Sequence, residues 1–430
     1  MTVRTPLAII ALAVCALAPC APARAGVGDD VTRMTVYDAG IAQFLEERTV
    51  ELQPGLNTIE WRSLMPKAYL RTVRVVVDGA DVVRQDVTYD GTDVQGQKSP
   101  VLHLVVENKG AAGPRRVQVD YLAPGLKWDN DYSLLLEPKA DGMPPTSAML
   151  DSWVSVYNST GADLAAGTVD LVAGDLALLV GDESDGYRRR DMQVMQNNAG
   201  FDAADEGAPA ETSAEVGSLS AFTRFTLGRN LRMNANAPVN RFPIFQHARI
   251  AVEERKVFEN AYNVQTLSRG GFTLLPRGLE VRLVGKNTTS VPMPAGQVTI
   301  YARAGDTAQI VGQDRIGLTP QSLDFSVSQG RSSTLLGTRR VVERREVDLG
   351  TANGHSREKL VTTVEVVLTN RGPVAADAFV REGIEEYADN KWAITTSSHK
   401  GERLSANLTQ FKVSVPAGGK TVVTYTVETQ

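Results

Sequence analysis

Apolar and polar residues alternate with a period of two along much of this chain. Tyr132, Leu134 and Leu136 alternate with Ser133, Leu135 and Glu137. Val73, Val75 and Val77 alternate with Arg74, Val76 and Asp78. The same rhythm returns at Val364, Val366 and Leu368, at Phe411, Val413 and Val415, and at Val423 and Tyr425; Val101–Val106 is a further strand-like run. Successive side chains of a strand point to opposite faces, so this rhythm predicts half-buried β-strands. Turn signals punctuate the runs at Asp38-Ala39-Gly40, Gln53-Pro54-Gly55 and Pro416-Ala417-Gly418-Gly419, the last predicting a hairpin. Helical patterning is scarce: Ile384–Asn390 gives a single turn at most. Strand follows strand at short spacing, which predicts an all-β chain and disfavours α/β.

The predicted organisation is two or three β-sandwich modules of immunoglobulin-like size with one disordered polar insert. Residues 26–115 form an N-terminal sandwich, 116–338 a central β-rich domain, and 339–430 a C-terminal immunoglobulin-like sandwich. The insert is 181–218, polar, rich in Ala and Gly and poor in branched apolar residues. Such a segment buries too little surface to offset its ordering entropy. Four strands end in asparagine followed by a turn: Asn108-Lys109-Gly110, Asn158-Ser159-Thr160-Gly161, Asn287-Thr288-Thr289 and Asn370-Arg371-Gly372. Asn tolerates positive φ and bonds its own backbone, so this reads as one corner reused in several modules. The intervals are unequal, which excludes a solenoid. Trp128 and Trp153 offer the largest apolar areas near the centre and are the expected core anchors.

The first 25 residues read as a secretory signal. Arg4 gives the positive start, Leu7–Leu17 the apolar stretch and Ala23-Arg24-Ala25 the cleavage site, so cleavage is expected after Ala25. Cys15 and Cys20 both lie in the removed segment; Pro19 before Cys20 argues against a lipoprotein signal. The mature chain then has no cysteine for a disulfide, a thiolate nucleophile or a metal site. Removing Arg4 and Arg24 leaves 43 basic and 50 acidic side chains, a formal charge of −7. That balance offers no general attraction to nucleic acid. No later apolar run reaches membrane-spanning length. The expected location is the periplasm or the exterior.

Candidate chemistry is sparse. His103, His247, His355 and His399 share no metal-ligand spacing; His355 falls in a polar loop, Gly350–Ser356. Gly330-Arg331-Ser332-Ser333 lacks the second glycine of a nucleophile turn and reads as a loop. Asp129-Asn130-Asp131 reads as a solvated turn, and Asp182-Glu183-Ser184-Asp185 falls in the insert; neither has calcium-loop spacing. Arg188-Arg189-Arg190 is a basic run. Arg339-Arg340 and Arg344-Arg345 interleave with Glu343 and Glu346, as on a solvated strand face. No catalytic, cofactor-binding or metal residue is assigned, and no cofactor is expected.

Tyr121, Pro124, Gly125, Trp128 and Tyr132, followed by Asn158, Gly161, Leu164, Leu171, Gly174 and Asp175, make a spaced motif. It resembles domain-of-unknown-function family 4139, the mucoidy-inhibitor A-like bacterial exported proteins. The resemblance continues through Val291–Tyr301 and Val311–Asp314 and ends near Val413–Gly418 and Tyr425. Longer relatives carry a coiled coil that is lacking here, and this chain has an extra polar segment after residue 180. The resemblance implies a β-rich exported protein and supplies no catalytic residues.

These features together predict a non-enzymatic interaction or structural protein of the bacterial envelope, with a protein or glycan partner. The alternative is a hydrolase or carbohydrate-binding protein acting on envelope polysaccharide. A hydrolase needs a cleft with two carboxylates, or an Asp with a His. A carbohydrate-binding protein needs exposed aromatic rings, for which Trp128, Trp153 and Trp392 are the candidates.

Overall fold

The computed structural model describes residues 31–90, 98–137, 143–174, 211–212, 214–219, 222–237, 239–263, 273–352, 355–385 and 392–429. In chain order its strands are β1 (Val31–Tyr37), β2 (Ile41–Leu52), β3 (Gly55–Trp61), β4 (Arg74–Val77), β5 (Asp81–Asp90), β6 (Ser99–Asn108), β7 (Gly113–Pro124) and β8 (Leu126–Leu136). Then come β9 (Ser147–Asn158), β10 (Leu164–Ala173), β11 (Glu211–Thr212), β12 (Glu215–Leu219), β13 (Phe222–Met233), β14 (Asn240–Asn263), β15 (Thr273–Lys286) and β16 (Gly296–Ala304). The last are β17 (Thr307–Ile316), β18 (Asp324–Ala352), β19 (His355–Asn370), β20 (Ala376–Glu385), β21 (Trp392–Ser397), β22 (Gly401–Ser405), β23 (Leu408–Val415) and β24 (Lys420–Thr429). A 3-10 turn at Leu70–Thr72 is the one helical element among the described residues. The protein is all-β.

Seven strands form a first sheet in the order β12-β13-β10-β1-β2-β7-β4, and β3-β6-β5 form a small second one. β1 lies parallel to β10, so strands from both sides of residue 116 share one sheet. The alternation read from the sequence sets the faces. Val117, Val119 and Tyr121 of β7 are buried together with Leu102, Leu104 and Val106 of β6, Trp61, and Met34 and Phe44. The Phe44 and Tyr121 rings stack 5.5 Å apart.

The largest sheet runs β17-β16-β8-β9-β14-β15-β18-β19-β24-β21, with β20, β22, β23 and β11 branching from it. β16 is parallel to β8, and β20 is parallel to β14. The Ser328 amide donates to Asp314 at 2.6 Å and brings β17 beside β18. No ladder joins those two strands, and the sheet does not close into a barrel. A second core gathers Val364, Val366 and Leu368 of β19, Val423, Tyr425 and Val427 of β24, Ala378 and Val380 of β20, and Phe411, Val413 and Val415 of β23.

The expected hairpin at Pro416–Gly419 is corrected by this arrangement. The turn is tight, with the Gly419 amide donating to the Pro416 carbonyl at 3.1 Å. Yet β23 pairs with β20 and β22, while β24 pairs with β19 and β21. The turn carries the chain from one ladder to another, and both strands bury their apolar faces in the same core. Other loop readings change too. Asp129–Asp131 is the middle of β8, Gly330–Ser333 lies inside β18, and the Gly350–Ser356 segment is strand up to Ala352 and again from His355. In each, strand pairing overrides a polar local composition. The insert lies outside the described residues up to 210. Its end is not a loop: β11 and β12 pair with β14 and β13, and Ala214 between them is buried. Ile384 and Glu385 belong to β20 rather than to a helical turn; 386–391 and the signal segment lie outside the described residues.

The four asparagines make the same corner four times. Asn287 is fully buried. Its Nδ2 donates to the carbonyls of Val291 (3.1 Å) and Thr319 (3.0 Å), and its Oδ1 accepts the Thr289 amide (3.1 Å) and hydroxyl (2.7 Å). Asn158 repeats this with Ala162, Met233 and Thr160. Asn370 does so with Val374, Val415 and Gly372, and Asn108 with Ala111, Gln53 and Gly110. Each amide closes its own turn and holds a carbonyl from a distant part of the chain. Backbone groups that leave a ladder at a buried corner need such partners.

Candidate interaction surfaces

The strands place most charged side chains outward in pairs. Arg249 makes a bidentate contact to Glu137 (2.8 and 2.7 Å), Arg340 pairs with Glu365 (2.6 Å) and Arg344 with Glu346 (2.8 Å). The Arg249 hydrogen bonds, aided by Ser147, hold the Glu137 carboxyl below its ordinary value.

Two glutamates are buried instead. Glu46 sits on the same face of β2 as Ala42 and Phe44, with none of its surface exposed. Its Oε2 accepts Trp61 Nε1–H (2.6 Å) and the Ser63 hydroxyl, and its Oε1 accepts the Tyr121 hydroxyl (2.8 Å). Burial, then the nearby Glu46 charge, pushes the Tyr121 phenol well above its ordinary value. Glu382 is the counterpart in the second core. Its Oε2 accepts Arg339 Nε–H (3.1 Å) and the Tyr425 hydroxyl (2.6 Å), and its Oε1 accepts Asn260 Nδ2–H (3.0 Å). Arg339 is only 2% exposed, so the expected solvated face holds for Arg340 and Arg344 and fails for Arg339. Both glutamates are two residues beyond a buried apolar neighbour, Phe44 or Val380. The period-two pattern already put them on the core face.

The sequence candidates do not converge. His103 lies beside Thr88 (2.8 Å), the His247 amide donates to Asp151 (2.7 Å), and His399 lies beside Ser398 (2.9 Å). The His355 side chain, Asp182–Asp185 and Arg188–Arg190 lie outside the described residues. In β8, Asp129 and Asp131 share one face while Asn130 is buried on the other, so the three cannot wrap one ion. Among the described residues, no three His, Cys, Asp or Glu side chains gather as a metal site. A hollow of about 210 Å³ between Met65–Lys67, Pro124–Gly125 and Ser159–Thr160 has no acidic side chain in its lining. Trp128 and Trp392 are buried, but Trp153 is only half-buried. Leu150, Val154 and Val156 take the core side of β9, so Trp153 falls on the outer side and is not the anchor expected.

One exposed feature is a strand edge that ends in a ribbon. β15 pairs with β18 only as far as Arg340, and β24 pairs with β19 only from Leu360 onward. Beyond Arg340, the arm Val341–Ala352 of β18 pairs only with β19 among the described residues; its outer part, Val347–Ala352 with His355–Lys359, is a two-stranded ribbon, while Leu360–Val364 also pair with β24. At roughly 3.3 Å per residue, the β18 arm is about 40 Å long. It carries Glu343, Arg344, Arg345, Glu346 and Asp348, with Val342 54% and Leu349 43% exposed. Extra residues interrupt its register near Val342 and Gly350. Charges and bulges of this kind guard an edge against indiscriminate pairing, while backbone groups without a partner among the described residues can still accept a matching strand. No helix among the described residues is long and apolar enough to cross a membrane. The chain matches no protein-family model and no curated protein.

Proposed function

We propose that this chain is an exported, non-enzymatic interaction or structural protein of the bacterial envelope, built from β-sandwich modules of immunoglobulin-like form. The ribbon formed by β18 and β19 carries this reading. A two-stranded ribbon is marginally stable alone in water. This one extends about 20 Å past β24, and the β18 edge leading into it from Val341 has no second neighbour among the described residues, which suits it to adding a partner strand. Three further features support the reading. The N-terminal segment has the signature of a secretory signal. The Tyr121–Tyr132 and Asn158–Asp175 motifs resemble an exported family without assigned catalytic residues. The second core is built from apolar side chains of β19, β24, β20 and β23, which supports a sandwich reading of this part of the chain.

The test is crosslinking in intact envelopes, followed by capture of the full chain. A specific protein partner is expected with the natural chain. It is lost when Val347→Pro and Asp348→Pro break the ribbon ladder, while the unfolding midpoint stays nearly unchanged because both residues lie outside the two cores. A chain that crosslinks to nothing, or equally well with the prolines present, overturns the proposal.

A further inference from the structure

A second surface, remote in sequence from the ribbon, has its own chemistry. The outward face of β8, β9 and β14 presents two aromatic rings on one strand. Trp153 is half-buried and Tyr157 is 40% exposed. Four residues apart on the same face of β9, they are separated by about 13 Å. The register places Asp131 opposite Trp153, Asp129 opposite Ser155 and Lys127 opposite Tyr157; from the other side β14 sets Pro243 beside Trp153 and Arg241 beside Ser155. The Arg241 guanidinium lies 5.6 Å from the Trp153 ring centre and 3.6 Å from Asp131. Ser155 donates to Asp131 (2.9 Å), and Lys127 contacts Asp129 (3.1 Å).

We propose that this face binds a neutral glycan chain. The C–H faces of a sugar ring pack on the electron-rich faces of Trp and Tyr. The spacing lets the two rings hold sugars that are not adjacent in the chain. Between the rings stand carboxylates and a guanidinium, which match the hydroxyls of an intervening sugar and not the apolar centre of a protein interface. Each cation here lies against a carboxylate, so the face has no spare positive charge for a polyanion. The proposal does not depend on the ribbon.

The experiment is affinity electrophoresis of the full chain through gels containing a soluble neutral polysaccharide, such as a β-glucan or a mannan, or an acidic one of similar length. Retardation by a neutral polysaccharide is expected, weakened at least tenfold in Trp153→Ala and several-fold in Tyr157→Ala, and retained in Tyr157→Phe. Tyr157 is exposed enough that its alanine variant keeps the fold, which a thermal melt checks. No retardation by neutral polysaccharides, retardation by the acidic one alone, or retardation unchanged in both alanine variants overturns the proposal. The ribbon prolines leave retardation unchanged, so glycan binding and strand addition fail separately.

Discussion

Glu46 and Glu382 solve one problem in two ways. Each is fully buried, each accepts a hydrogen bond from a tyrosine hydroxyl, and each ties together strands that are distant in sequence. Glu46 of β2 is served by three neutral donors, from Trp61, Ser63 and Tyr121 of the segments around β3 and β7. The Arg48 guanidinium lies 4.4 Å over the Trp61 ring and donates to Ser63 (2.8 Å). Glu382 of β20 instead takes a guanidinium directly, together with Tyr425 and Asn260. A carboxylate held by several neutral donors loses one bond when one donor goes. A carboxylate held by a cation loses its charge balance at once, in a medium that solvates charge poorly. The second core should therefore depend more sharply on one residue.

The largest effect tests this directly. Arg339→Met leaves Glu382 without its guanidinium and should lower unfolding stability by about 3–5 kcal/mol, read from urea titrations. Adding Glu382→Leu should recover most of the loss, because the buried charge then goes as well. Failure of that recovery would show that the pair organises the core beyond balancing its own charge. Tyr121→Phe is the matched change in the first core, removing one of three donors, with an expected cost of about 1–3 kcal/mol. A loss as large as that of Arg339→Met would erase the distinction between the two networks.

The asparagine corners sharpen the comparison by cutting across it. Asn108 closes a turn at the end of β6, whose apolar residues lie in the first core, and Asn370 one at the end of β19 in the second. Both are buried and use the same bonds, so Asn108→Ala and Asn370→Ala should each cost about 1–3 kcal/mol from unpaired backbone groups. A wide gap between them would mean that the surrounding core, not the corner, sets the cost.

The smallest effect lies outside both cores. The Glu137 carboxyl is held below its ordinary value chiefly by Arg249. A carboxyl with a lowered folded value adds stability above its unfolded value, and that stability is lost as pH falls through the folded one. Glu137→Gln should be less stable than the natural chain by at most about 1 kcal/mol near neutrality. The two unfolding midpoints should converge in acid. A gap that persists in acid would assign the effect to packing.

Much of the fold was legible along the chain, because strand faces depend on neighbours two residues apart. The strands around Tyr132, Val366 and Val413 were readable on that basis. So was the shared corner, because Asn bonds to its own turn within four residues. Trp153 was misplaced because aromatic size was weighed above parity: Val154 and Val156 had already claimed the core side of β9. Arg339 was misread because its neighbours Arg340 and Arg344 are surface residues, and nothing nearby in sequence announces Glu382.

The sequence by itself determined the strands whose apolar residues alternate, which face of each is apolar and where the buried corners turn. Gly125 shows how locally such points are set. It adopts φ +108, and an added Cβ would lie 3.0 Å from the Thr160 side chain, so no other residue fits there without strain. Only the tertiary structure decided which strands meet: β1 with β10, β14 with β20, and β23 and β24 with different partners. It also decided which donors hold the two buried glutamates, and that the outer arm of β18 pairs with β19 alone among the described residues. The physical reason is range. Face and turn are written in windows of a few residues, while pairing and charge balance are settled between residues separated by much of the chain.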